Sequence, residues 1–144
     1  MSTQREITRF LAKVPLFQGL NQRQLQKLAK LSQERAYRSK EVIVEQGKIG
    51  IGLFIIAKGH VRVVREQAGS APLELDTLGE TDFFGELSLL DDAPRTASVF
   101  AVEDTTCLVL TKPEFMNALH KDADMAVAML QELAGRHRNV MSHL

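Results

Sequence analysis

The chain has 144 residues, 44% of them apolar and 25% charged, and its 18 basic and 18 acidic side chains cancel; that gives room for one domain with a proper core, and the balance argues against a bulk nucleic-acid binder. The longest apolar runs, "LFII" at 53–56 and "CLVL" at 107–110, fall far short of the roughly 20 residues needed to span a bilayer, and "MSTQREITRF" lacks the basic start and apolar stretch of a secretory signal. The lone Cys107 has no partner for an internal disulfide, so a reducing, cytoplasmic setting is expected.

In chain order, Ile7, Phe10, Leu11 and Val14 recur at helical spacing until Pro15 closes the run. Asn21 reads as an N-cap with Gln24 three residues on, and Leu20 and Leu25 occupy the positions of a hydrophobic staple. A helix over about 22–32 follows, with Leu25, Leu28 and Leu31 inward. From Tyr37 to Leu110 the texture changes to short β-branched and aromatic runs punctuated by glycines, the rhythm of an antiparallel barrel or sandwich. Strands are expected near 42–46, 53–57, 61–65, 73–78, 98–103 and 106–110, with "KGH" at 58–60 as a hairpin turn and "QAGSAP" at 67–72 as a surface loop. Thr111 with Glu114 opens a helix to about His120, and Asp122 or Asp124 caps a longer one over about 124–142. Ala126, Leu130, Leu133, His137, Val140 and Leu144 form a heptad-like seam on that last helix; it reads as packing against the strands, as a dimer helix or as a movable lid.

The segment "FFGELSLLDDAPRTASV", 83–99, interrupts apolar material with charge. Gly85 puts no side chain in a ligand's way, and "ELSLL" is long enough for a short helix whose amino end offers backbone N–H groups to an anion. Pro94 stiffens the approach to Arg95, whose guanidinium can grip two phosphate oxygens. A carboxylate at Glu86 repels phosphate unless it accepts hydrogen bonds from a donor on the same ligand, and a sugar hydroxyl is such a donor. The bland alternative is that Glu86 favours a helix dipole and that Arg95 pairs with Glu86, Asp91 or Asp92 on the surface.

Residues 84–99, "FGELSLLDDAPRTASV", resemble the phosphate-binding cassette of cyclic nucleotide-binding domains, found in cyclic-nucleotide-dependent kinases, cyclic-nucleotide-gated channels and the catabolite activator protein group. "VPLFQGL" at 14–20, "LQKLAKL" at 25–31, "LFIIAKGHVRVVRE" at 53–66 and "PEFMNAL" at 113–119 extend the resemblance over nearly the whole chain. It implies a mainly β fold with flanking helices: an antiparallel β-barrel or jelly roll (double-stranded β-helix) with N-terminal helices and a long C-terminal helix. A single domain over 1–144 is expected, with N-terminal helices in 1–36, the barrel in 37–110 and C-terminal helices in 111–144. The resemblance also implies that Arg95 binds the cyclic phosphate and Glu86 the ribose 2′-hydroxyl, and that Gly85, Leu87 and Ala97 add backbone contacts. Ser88, Pro94 and Thr96 complete the expected site. Thr96 stands where cyclic-GMP-selective kinases use a threonine, but channels with "RTASV" favour cyclic AMP, so the base stays open. Two departures stand out: Lys48 and Ile51 occupy the usual acids of the loop before "LFII", and Ser39 and Lys40 replace a turn glycine.

The expected function is a regulatory module that binds cyclic AMP or cyclic GMP, with no cofactor beyond that ligand, and passes binding on as movement of the final helix; Met129, Leu130 and Leu133 are its candidate base cover. A homodimer through that helix, or an effector domain or protein, is the expected partner, and the chain itself is not expected to read DNA. The alternative is an interaction or dimerisation domain of the same fold that no longer binds ligand. An enzyme is disfavoured, because His60, His120, His137 and His143 show no paired metal-ligand spacing on a strand, and one cysteine cannot hold an iron–sulfur cluster.

Overall fold

A computed structural model describes residues 2–86 and 94–142. Its elements are α1 (Gln4–Leu11), a 3-10 turn (Pro15–Phe17), α2 (Gln22–Leu31), β1 (Gln33–Tyr37), β2 (Val42–Val44), β3 (Gly52–Lys58), β4 (Val61–Arg65), β5 (Leu73–Leu78), β6 (Phe83–Phe84), β7 (Ser98–Ala101), β8 (Thr105–Thr111), α3 (Lys112–Lys121) and α4 (Ala123–Ser142). They fall into a helical unit, 1–31 with 113–144, and a strand unit, 32–112.

In the strand unit two antiparallel four-stranded sheets run β1-β8-β3-β6 and β2-β7-β4-β5. This is the expected jelly-roll architecture as a sandwich, since the sheets do not close into one barrel. Phe54, Ile56, Val61, Leu78, Phe84, Val99, Cys107 and Val109 form its core, supplied by strands of both sheets. Sequence patterning missed two strands. β1 reads "QERAY" with no alternation of exposed and buried residues, and it is held by register with β8 from Gln33↔Val109 to Tyr37↔Thr105; β6 is only two residues long. The segment at 58–60 is not a hairpin turn, because β3 pairs with β8 and β6 whereas β4 pairs with β5 and β7. Gly59, at φ +96°, reverses the chain there from one sheet to the other. The loop at 67–72 does close a hairpin, β4 with β5.

In the helical unit the Asn21–Gln24 capping box is present: the Gln24 N–H donates to Asn21 Oδ1 and the Asn21 N–H to Gln24 Oε1, both at 2.9 Å. Leu20 and Leu25 are both buried, as the staple requires. Of the two acids offered for α4, Asp122 caps it, its Oδ1 accepting from the Met125 N–H at 3.0 Å. Gln24 Nε2 also donates to Asp122 at 3.1 Å, and the two bonds, that from Met125 first, hold its carboxyl below the usual range. The seam read from the sequence is not the packed face of α4. Met125 and Met129 are buried and a Cβ at Gly19 would meet the Ala128 methyl at 3.1 Å, while Leu130, His137 and Val140 are exposed.

Candidate functional site

The site is built where the loop 45–51 runs alongside the strand-like segment at 94–95. The Arg95 N–H donates to the Lys48 carbonyl at 2.8 Å, the Gly47 N–H to the Arg95 carbonyl at 2.9 Å, and Ile49 and Pro94 form a β-bridge. Gln46 fastens the loop at its other side. Its N–H donates to Ser98 Oγ at 2.8 Å, its side-chain amide donates to the Glu66 carbonyl at 3.3 Å, and its Oε1 accepts from the Glu66 N–H at 2.8 Å.

This ladder holds the half-buried Arg95 side chain against the sandwich. Its guanidinium carbon lies 5.8 Å from the centroid of the Phe54 ring, within reach of a cation–π attraction. Phe54 in turn stacks on Phe84, with centroids 5.0 Å apart and planes 8° from parallel. Nη2 donates one long bond, 3.4 Å, to the Gly52 carbonyl. Among the described residues Arg95 is in no ion pair. Burial lowers its pKa, and the nearby Glu86 carboxylate opposes that shift.

Gly85 sits at φ +90°, and a Cβ there would lie 2.5 Å from the Gly52 oxygen, 2.8 Å from Arg95 Nη1 and 3.3 Å from Nη2. Glycine is thus required by both conformation and room, and the space it leaves is taken by the guanidinium. Gly85 and Glu86 are half-buried, Pro94 and Thr96 exposed, and Ala97 half-buried. The structure brings Gly85, Glu86 and Arg95 together. Leu87 and Ser88, the short helix expected over 86–90, and Asp91 and Asp92 lie outside the described residues. In the helical unit Met129 is buried, Leu130 exposed and Leu133 half-buried.

A cavity of about 340 Å³ opens in front of Arg95, lined by β2, the loop 45–51 and Phe54. Sequence reasoning missed Phe54 as a site residue, because in "LFII" it is indistinguishable from core. It missed Gln46 as well, since a polar side chain in a loop carries no signal of what it clamps. The two loop departures do not disturb this frame: Lys48 contributes its carbonyl to the ladder, and its ammonium lies 3.2 Å from Glu45. At the replaced turn glycine, Lys40 takes φ +73° itself.

Among the described residues no cluster of His, Cys, Asp and Glu could hold a metal ion, and no helix is long and apolar enough to cross a membrane. His60 pairs at the surface with Glu103. Cys107 is buried, and desolvation pushes its thiol up to about 12.

The family model described as "Cyclic nucleotide-binding domain" matches residues 34–122. The chain is 36% identical over 124 residues to the cyclic AMP receptor protein of Thermus thermophilus, covering 86% of this chain and 57% of that one. It is 35% identical over 109 residues to the cGMP-dependent protein kinase, isozyme 1, of Drosophila melanogaster, covering 74% and 14%. The crystal structure of the Thermus thermophilus catabolite activator protein superposes with a TM-score of 0.79 at 34% identity, covering 90% of this chain and 61% of that one. The chain therefore spans little more than half of the receptor protein and a small part of the kinase. The match over residues 34–122, more than half of the chain and inclusive of the Gly85–Arg95 pair, shows that this chain belongs to the cyclic nucleotide-binding domain family.

Proposed function

We propose that the chain is a regulatory, non-catalytic module that binds cyclic AMP or cyclic GMP through Arg95 and Glu86 and transmits binding through α4. The observation that carries this reading is Arg95: a guanidinium drawn into the protein against Phe54, with one long hydrogen bond to Gly52 and no ion pair among the described residues. A phosphate supplies the short charge-assisted bonds that such a group lacks. Glu86 accepts from the ribose 2′-hydroxyl, and the backbone of Gly85, Leu87 and Ala97, with Ser88, Pro94 and Thr96 alongside, completes the cradle.

Met129, Leu130 and Leu133 on α4 close over the base. A ligand shifts that helix only by its differential affinity for the closed arrangement, so the cover is the step at which binding becomes signal. The effector is an associated domain or protein, or a second copy meeting this one through α4, and the module makes no DNA contact of its own.

Calorimetric titration with cyclic AMP, cyclic GMP and a cyclic dinucleotide tests the reading. The first two bind, and Arg95→Ala weakens them by well over tenfold, as expected on truncating one partner of a desolvated charge pair. Ligand at 100 times its dissociation constant adds about 2.7 kcal/mol of stability. If neither mononucleotide binds or shifts the melting temperature, the domain is instead an interaction module without a ligand.

A further inference from the structure

The net charge of zero conceals a division along the chain. Residues 1–31 carry Arg5, Arg9, Lys13, Arg23, Lys27 and Lys30 against Glu6 alone, so the excess of acid lies wholly in the rest of the chain. All six basic residues are exposed, and none of them is in an ion pair among the described residues. Glu6 is already engaged: its carboxylate closes the capping box of α1, accepting from the Thr3 N–H at 3.1 Å and the Thr3 hydroxyl at 2.9 Å. Asp122, joined to α2 through Gln24, is engaged in the same way by the cap of α4.

The placement is not that of a merely solvated face. In α2, Arg23, Lys27 and Lys30 recur at i, i+4 and i+7 on the side away from the buried Leu25, Leu28 and Ala29, and the helix holds no acid. In α1, Arg5 and Arg9 likewise stand one turn apart, away from the buried Ile7 and Leu11. Like charges one turn apart repel, and Arg23 lies in the first turn of α2, where the helix dipole disfavours a cation. Both effects oppose helix formation, whereas a solvated helix face commonly interleaves the two signs. The exposed neighbours of these cations on α2 are Gln22 and Gln26, and no large apolar side chain is exposed in residues 2–31.

We propose that the Arg23–Lys27–Lys30 face of α2, reinforced by the field of the α1 cations, is a docking surface for an acidic segment of a partner protein. This rests on the reading above only in giving the module a protein effector. A bilayer fits the face poorly, because α1 and α2 turn their apolar residues inward and leave none to insert. A long polyanion such as a nucleic-acid duplex is repelled by the acid excess of the remaining chain. A short acidic segment matches the length of α2, about 15 Å, and escapes that repulsion. Exposed ion pairs are individually weak, so several act together and the contact is sensitive to salt.

The test is titration of the parent at low salt with a synthetic oligoglutamate peptide, a DNA duplex of equal charge and vesicles containing phosphatidylserine. The peptide binds most tightly and is released as salt rises. Arg23→Gln/Lys27→Gln/Lys30→Gln weakens it by about fivefold or more, since each exposed pair contributes up to about fivefold. That variant keeps good helix formers and loses a repulsion, so it melts with or above the parent. Arg38→Gln/Lys40→Gln/Lys58→Gln removes as many exposed cations from the strand unit and leaves the peptide affinity within about twofold, because distant exposed charges are screened. No peptide binding, tighter binding of the duplex or the vesicles, a loss below fivefold, or an equal loss in the strand-unit variant overturns the docking surface. Nucleotide affinity at Arg95 is read in a separate titration, and its failure removes the ligand reading without altering any of these outcomes.

Discussion

The Arg95 guanidinium occupies the volume that a side chain at residue 85 would need: Nη1 lies 2.8 Å from the position of a Gly85 Cβ. The two residues are separated by the cassette segment, yet each is placed for the other. Gly85 at φ +90° turns the chain out of β6, and the pairing of Arg95 with Lys48 aims its side chain into the gap. The domain thus makes room for its half-buried guanidinium by leaving a side chain out.

Gly85→Ala brings a methyl carbon to within 2.5 Å of the Gly52 oxygen and 2.8 Å of Nη1, at a φ that alanine rarely adopts. Strain of this kind costs about 1–3 kcal/mol, and the guanidinium must move. The variant is expected to melt lower and to bind cyclic nucleotide more weakly, read by thermal melting and by titration. Gly59→Ala, at φ +96° on the far side of the turn between β3 and β4, loses stability and keeps its affinity relative to the folded fraction.

Arg95→Met separates binding from stability. Burial lowers the guanidinium pKa, which means that the folded protein disfavours the charged form. For a base with a lowered pKa that cost is present at every pH below the pKa, including the whole neutral range. Replacing the half-buried cation by an apolar side chain of similar length is expected to leave the unliganded melting temperature equal to or above the parent's, while the ligand-induced shift disappears.

Alkaline pH loosens the strand unit. The Cys107 thiol, ordinarily near 9.0, is pushed up to about 12 by desolvation, so between those values the unfolded chain releases a proton that the folded chain keeps. Stability falls as pH rises through that window. Burial raises the Tyr37 phenol above 10.0 as well, which acts in the same direction. Urea midpoints should drop between pH 8 and pH 11, and less so in Cys107→Ala. Thiol reagents are expected to label Cys107 only once the sandwich opens.

Asp122→Ala removes the cap of α4 and the acceptor for Gln24. The Asp122 carboxyl is held below its ordinary 3.8 chiefly by the Met125 N–H. Its contribution is therefore full above that pH and is lost as pH falls through the lower folded value. The variant should melt lower than the parent at neutral pH, and the two should converge in strong acid.

The helix ends were legible because capping is local chemistry: Asn21 and Gln24 bond within one turn, and the sequence order alone brings them together. Glycine rhythm and β-branched runs likewise gave the strands at β3, β4, β5 and β8. β1 was not legible, because "QERAY" is a strand only by virtue of its partner β8, more than 60 residues on. Of the three readings of the α4 seam, packing, dimer helix or lid, the first does not hold, for a related reason. Periodicity shows which residues share a face, but the partner selects the face, and it selected Met125 and Met129.

For the proposed site, Gly85, Glu86 and Arg95 were singled out along the sequence, because close backbone approach, a hydroxyl acceptor and a phosphate clamp each suit few side chains. Their mutual placement was decided by the fold: the Phe54 ring under the guanidinium, the Gln46 clamp, and the aliphatic wall of Val42, Ile49 and Ile51 all come from segments some 40 residues or more before Arg95. Local bonding and side-chain chemistry are written along the chain, whereas burial and the company a charge keeps are properties of the folded sheets, and no reading along one dimension supplies them.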